Sequence, residues 1–125
     1  MSEPDTTSNR FAGKVRQAED PTEKTLRIKV NALKRTIKDL VYAKNEVDRE
    51  TDRLEKIRSN EPDRVPQQEK VLDEARMMVP HSENRIMSLV KDLSDFLEKE
   101  SGSVSNDELV ELARATILEG QAAVS

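Results

Sequence analysis

After Pro21 there is no further proline and no glycine until residue 62, and within that stretch Leu26, Leu33, Leu40, Val47 and Leu54 recur at every seventh position. A companion row stands four residues on: Val30 and Ile37, then the polar Lys44, Thr51 and Arg58. This 4-3 alternation is the period of a helical seam, whereas a strand would alternate every two residues. It predicts a helix over 21–59, almost 60 Å long at about 1.5 Å per residue. A helix with one apolar stripe must bury it against other helices. The start is marked by Asp20 as N-cap, Pro21 at the first helical position and Glu23 in the first turn.

The rest of the chain supplies the partners. Residues 59–66 hold two prolines and read as a turn, with Asp63 as the expected cap of a second helix over 64–100. Its seam is Val65, Leu72, Val79, Ile86 and Leu93, with companions Gln68, Ala75, Ser82, Leu89 and Phe96. Pro80 falls inside it and predicts a kink, because proline donates no backbone hydrogen bond and crowds the carbonyl of Arg76. Ser101-Gly102-Ser103 reads as a second turn. Ser105 with Glu108 reads as a capping box, Val104 with Leu109 as the hydrophobic staple of a third helix over 105–120, fraying at or after Gly120. Residues 1–20 show no period and read as a disordered tail with a transient turn near residues 11–15.

Short turns impose antiparallel neighbours. The third helix is about half the length of the others and reaches only the first half of helix 1 and the second half of helix 2. Those halves are the ones with a wide apolar arc. The expected fold is therefore all-α: an antiparallel three-helix bundle over 21–125, drawn out into a rod, with a kinked second helix and a shorter third. One end is a bundle and the other thins to a hairpin. Leu33, Leu40, Leu89, Leu93 and Leu112 are the expected core of the thick end, and Leu54 at the thin end is expected to be less buried. Exposed i,i+4 pairs are expected between Asp52 and Lys56 and between Asp95 and Lys99.

Composition removes several classes of function. Without cysteine there is no disulfide, thiol catalysis or thiolate-held zinc. Three scattered glycines cannot build a phosphate-cradling loop. His81, the one histidine, has no ligand set or nucleophile at usable spacing, and a thin rod offers little concave surface. No enzyme activity, metal or cofactor is expected. No apolar run approaches the ~18 residues of a membrane span, and the first residues do not resemble a signal or transit peptide. A cytosolic protein is expected.

Charge is placed unevenly. The chain carries −4 overall, yet residues 21–59 carry +4, residues 60–100 carry −4 and residues 101–125 carry −3. Opposite charges on helices that pack together explain this, and a basic face kept for an acidic partner is the second reading. Between residues 24 and 44 seven cations face one acid, Asp39. No RNA-binding motif or aromatic platform accompanies them, so nucleic acid is not the expected partner. Lys34, Arg35, Lys38 and Arg76 lie off the seams and are the candidates for attracting a partner. Met77, on the outer side of helix 2 beside Met78, is the candidate for a small adaptable apolar contact.

Leu26-Arg27-Ile28-Lys29-Val30 through Leu33-Lys34-Arg35, followed by Tyr42-Ala43-Lys44-Asn45-Glu46, resembles the first helix of the tubulin-binding cofactor A family. Val71-Leu72-Asp73-Glu74-Ala75-Arg76-Met77-Met78-Val79-Pro80, then Arg85, resembles that family's second helix with its internal proline. The resemblance covers residues 25–100, and the third helix matches in length and pattern. Two departures are His81, where the family usually has Asp after the proline, and Arg64-Val65-Pro66-Gln67-Gln68-Glu69, in place of a Tyr-Asp-Ile-Lys-Lys-Gln run. The resemblance implies a tubulin folding factor without nucleotide or chemistry. It would capture β-tubulin released from the cytosolic chaperonin and hold it on the way to the αβ heterodimer, through the helical faces of the rod. β-Tubulin and other tubulin folding cofactors are the implied partners, in the cytoplasm and alongside the cytoskeleton. The polar second half of helix 1 favours a monomer over a homodimer. The alternatives are a prefoldin-like holder, which requires a β-hairpin between its helices, and a coiled-coil adaptor, whose seam would be filled by another chain.

Overall fold

The computed structural model describes residues 20–125, in which three helices follow one another: α1 (Pro21–Asn60), α2 (Val65–Glu100) and α3 (Asp107–Ala123). Apart from Asp20, the expected tail lies outside the described residues. Asp20 is extended, and its Oδ1 accepts the Glu23 N–H at 2.9 Å, satisfying one of the orphan donors of the first turn.

The other two starts differ from expectation. A 3-10 turn, Pro62–Arg64, leads directly into α2. Arg64 is already near-helical there (φ −93°, ψ −2°), so no cap position exists for Asp63 to fill, and α2 begins without a side-chain cap. At α3 the cap is Asn106 and not Ser105. The Asn106 Oδ1 accepts the Leu109 N–H at 3.0 Å. Both residues are competent caps, and the register that wins puts Leu109, Val110 and Ala113 into the core. α3 runs past Gly120 and ends at Ala123, in keeping with fraying at or after that glycine. Gly120 is buried inside the helix, where a Cβ would lie 2.9 Å from the Val90 Cγ2, so the absent side chain lets α3 approach α2 closely. α2 continues through Pro80 as one helix.

The three-helix end is built from Leu26, Val30, Leu33, Ile37 and Leu40 of α1, Ile86, Leu93 and Leu97 of α2, Val104, and Leu109, Val110 and Ala113 of α3. Leu89 is only partly buried there. Leu112 is not core: it is 38% exposed, because it stands about 100° round the helix from Ala113, whose side faces inward. The Asn106 amide reaches Glu23 at 3.4 Å, so α3 starts level with the start of α1 and runs beside its first half.

Beyond Leu40 the seam of α1 changes hand. The companions Val30 and Ile37 sit four residues after Leu26 and Leu33, but Ala43, Glu50 and Ile57 sit three residues after Leu40, Val47 and Leu54. Lys44 and Arg58, the expected companions, are exposed. A helix of 3.6 residues per turn drifts about 20° per heptad against a strict 3.5 repeat, so the row that faces the partner changes after two or three heptads. Leu54 and Ile57 are as buried as Ile37, against the expectation for the thin end, because a two-helix seam closes over its central rows without a third helix.

Polar ties link α1 to α2 at three levels. Lys29 Nζ lies 2.7 Å from Asp92 Oδ2 and 5.5 Å from the centre of the Phe96 ring. Gln68 Nε2 donates to Glu50 Oε1 at 2.7 Å and to the Glu50 carbonyl at 3.2 Å. Arg58 pairs with Glu69 at 3.6 Å near the turn. Glu50 is only 4% exposed, and Arg53 at 3.3 Å completes its compensation. Asp95 takes Lys91 as its i,i+4 partner in place of Lys99, and Asp52 forms no ion pair with Lys56.

Candidate partner-binding surface

The two faces of the α1–α2 hairpin differ. One carries α3 at the thick end. Among the described residues no third helix covers the other. The five residues singled out from the sequence fall into three separate places. Lys34, Arg35 and Lys38 line a groove of about 410 Å³ with Asn31, Ile37 and Glu119 of α3. None of these three cations has an ion-pair partner among the described residues. Arg76 pairs with Asp73 at 3.7 Å and lines a different recess, with Lys44, Val47, Asp48, Val79 and Pro80. Met77 is 64% exposed. It stands nine residues, two and a half turns, before the buried Ile86, and so points away from the seam. The structure therefore brings the three α1 cations together and leaves Arg76 and Met77 apart from them.

A feature not anticipated lies on the open face, midway along the rod. A groove of about 610 Å³ runs between α1 and α2. Its floor is made of small residues, Thr36 and Ala43 from α1 and Ala75 and Ser82 from α2, all buried. Its walls are Tyr42, 69% exposed, and Met78, 50% exposed. Asp39 and Glu46 edge it on the α1 side, His81 and Arg85 on the α2 side, with Arg49 at one end. Arg49 is committed to Glu46: the guanidinium, 2.6 Å away, holds the Glu46 carboxyl below the ordinary carboxylate range. The sequence did carry a signal. Thr36 and Ala43 are seven apart, as are Ala75 and Ser82, so small residues repeat at seam spacing on both helices.

Two of the alternative architectures lose their support. The α1–α2 connection is a 3-10 turn without a strand, so the β-hairpin of a prefoldin-like subunit is not present among the described residues. The seam of α1 is filled from within the chain, which leaves no free seam for a coiled-coil adaptor. Among the described residues no group of three His, Cys, Asp or Glu is placed to hold a metal ion, and no helix is long and apolar enough to cross a membrane.

Comparison with known proteins points the same way as the fold. Residues 21–117, which reach from the first turn of α1 into α3, match the family described as tubulin binding cofactor A. The crystal structure of tubulin-binding cofactor A from Leishmania major is 70% identical, with a TM-score of 0.82, over 86% of this chain and 100% of that one. The tubulin-folding cofactor A of Arabidopsis thaliana is 33% identical over 99 residues, 77% of this chain and 88% of its own length. The tubulin-specific chaperone A of Oryctolagus cuniculus is 30% identical over 83 residues, 65% of this chain and 77% of its own length. With the match extending over all three helices and the fold shared with a solved member, the chain belongs to the tubulin binding cofactor A family.

Proposed function

We propose that this protein is a tubulin folding cofactor that captures β-tubulin after its release from the cytosolic chaperonin and holds it on the route to the αβ heterodimer. The family match over residues 21–117 carries this reading. The protein acts by binding alone, as a monomer in the cytoplasm alongside the cytoskeleton, and other tubulin folding cofactors are its further partners.

The outer face of α1 supplies long-range attraction. Lys34, Arg35 and Lys38 have no ion pair to break among the described residues, so an acidic surface gains them at little cost. Arg76 adds to this once it leaves Asp73, an exposed and weakly held partner. Met77 offers a pliable apolar contact on the outside of α2.

The test is retention of separated α- and β-tubulin on the immobilised chain. β-Tubulin should be held and α-tubulin should not; equal retention of both, or of neither, rules the reading out. In a second arm, Lys34, Arg35 and Lys38 are changed together to Ala. Association should slow and lose salt dependence, with dissociation little changed. Unchanged association at low salt would remove these cations from the interface.

A further inference from the structure

We propose that the open-face groove between α1 and α2 is the seat of an amphipathic helix of the captured tubulin, which docks there on the side of the hairpin opposite α3. The proposal rests on the reading of the protein as a β-tubulin holder and names the contact that retains the client.

The hairpin already shows what its grooves accept. On its other face α3 lies in the furrow between α1 and α2, with Gly120 against Val90, Ile86 and Leu33. The open face allows the same close approach by the reverse arrangement, with the small residues in the hairpin. Its floor is small on both helices, which lets a third backbone come close. The walls, Tyr42 and Met78, are large, apolar and exposed, and they stand on opposite helices. Residues 36–46 of α1 and 75–85 of α2 bound about 15 Å of groove, three turns of a docked helix.

An extended segment does not suit this furrow. The backbones of α1 and α2 are satisfied within their own helices, so a strand between them would bury peptide groups without partners. A helix brings its backbone already paired.

Two polar observations say what the helix carries. The Ser82 hydroxyl lines the floor, in a residue only 5% exposed, and it has no hydrogen-bond partner among the described residues. The other buried hydroxyls behave differently: Thr36 donates to the Ala32 carbonyl at 2.9 Å and Thr116 to the Leu112 carbonyl at 2.7 Å. The Ser82 hydroxyl is therefore available to a group that enters the groove. Asp39 and Arg85 stand on opposite edges, and neither has an ion-pair partner among the described residues. A helix with a small apolar face, a cation on the flank toward Asp39 and a carboxylate on the flank toward Arg85 satisfies both charges, and a polar side chain between them meets Ser82.

The experiment uses the full chain with a photoreactive benzophenone side chain at Tyr42, and in a separate sample at Met77, each incubated with β-tubulin. Wild-type retention of β-tubulin is measured first; its absence overturns the functional reading and this proposal with it. With retention established, the probe at Tyr42 should label a β-tubulin segment that is helical in folded tubulin. Labelling of a non-helical segment, of residues 1–19 of this chain or of a second copy overturns the proposal and leaves the functional reading standing. So does labelling from Met77 alone. Tyr42→Ala with Met78→Ala should retain helicity, since both side chains are exposed, and should release β-tubulin about tenfold faster. Release at the wild-type rate would overturn the groove as the holding contact.

Discussion

Leu33 has no exposed surface and lies in the centre of the three-helix end, whereas Leu112 is 38% exposed. Leu33→Ala should cost about 2–5 kcal/mol by the cavity it leaves. Leu112→Ala should stay within about 1 kcal/mol, as surface changes usually do. Urea denaturation of the two variants measures the difference, and equal losses would put Leu112 back into the core. Glu50 and Gln68 make a sharper pair. Gln68→Leu removes the 2.7 Å donor from a buried carboxylate and should cost about 1.5–3 kcal/mol, the worth of a hydrogen bond to a charged group. Glu50→Leu together with Gln68→Leu should recover most of that loss, because an apolar pair at a buried seam position leaves no charge to solvate. If the double variant were the weaker of the two, the seam at that level would depend on the polar pair for its packing. Glu46 gives a pH signature of known sign. Its carboxyl titrates below its ordinary value in the folded chain, so the stabilisation it contributes is present at neutral pH and is lost as pH falls through that lowered value. Arg49→Gln should remove this part of the acid sensitivity, which a titration of stability from pH 7 to pH 3 would detect.

The helices themselves were the most legible level, and the reasons for the misses are specific. Asp20 was readable because Pro21 and Glu23 surround it with agreeing signals. Ser105 and Asn106 are adjacent and equally competent, so only the burial of Leu109, Val110 and Ala113 decides between them. The companion row of α1 was misread after Leu40 because a strict heptad was continued where the helix drifts past it, which concealed Ala43, Glu50 and Ile57. The groove went unseen for the same reason: two of its floor residues, Thr36 and Ala43, fall beside the expected rows. Gly120 was legible as the place near which α3 frays, but not as a contact. Gly120→Ala gains about 1 kcal/mol of helix propensity but drives a methyl against Val90, and the overpacking should prevail, giving a net loss of about 1 kcal/mol. In a Val90→Ala background the same change should become stabilising, and thermal unfolding of the four chains completes that cycle. Pro80 is exposed, and its missing N–H leaves the Arg76 carbonyl without its i+4 donor. Pro80→Ala should therefore raise stability, by up to about 3 kcal/mol. Destabilisation in the same measurement would mean that the ring is packed.

At the scale of the whole molecule, the ties between α1 and α2 have an uneven layout. Lys29 with Asp92 closes one end, and Glu50 with Gln68 and Arg58 with Glu69 close the other. Between them, over residues 30–49 of α1 and 70–91 of α2, no side-chain hydrogen bond or ion pair crosses from one helix to the other among the described residues. The protein is thus strung like a bow: pinned near both tips by directional bonds, and held at mid-span by apolar packing alone, through Leu33, Leu40, Leu72 and Ile86. A load applied to the middle meets this packing along the seam and only alanine, serine and threonine on the open face, with no directional bond to break. The same load at either tip meets a charge pair or a buried carboxylate. Spin labels at Asp39 and Arg85 should accordingly report a broader spread of distances than labels at Ile28 and Lys91, and client binding should narrow the first spread and leave the second as it was.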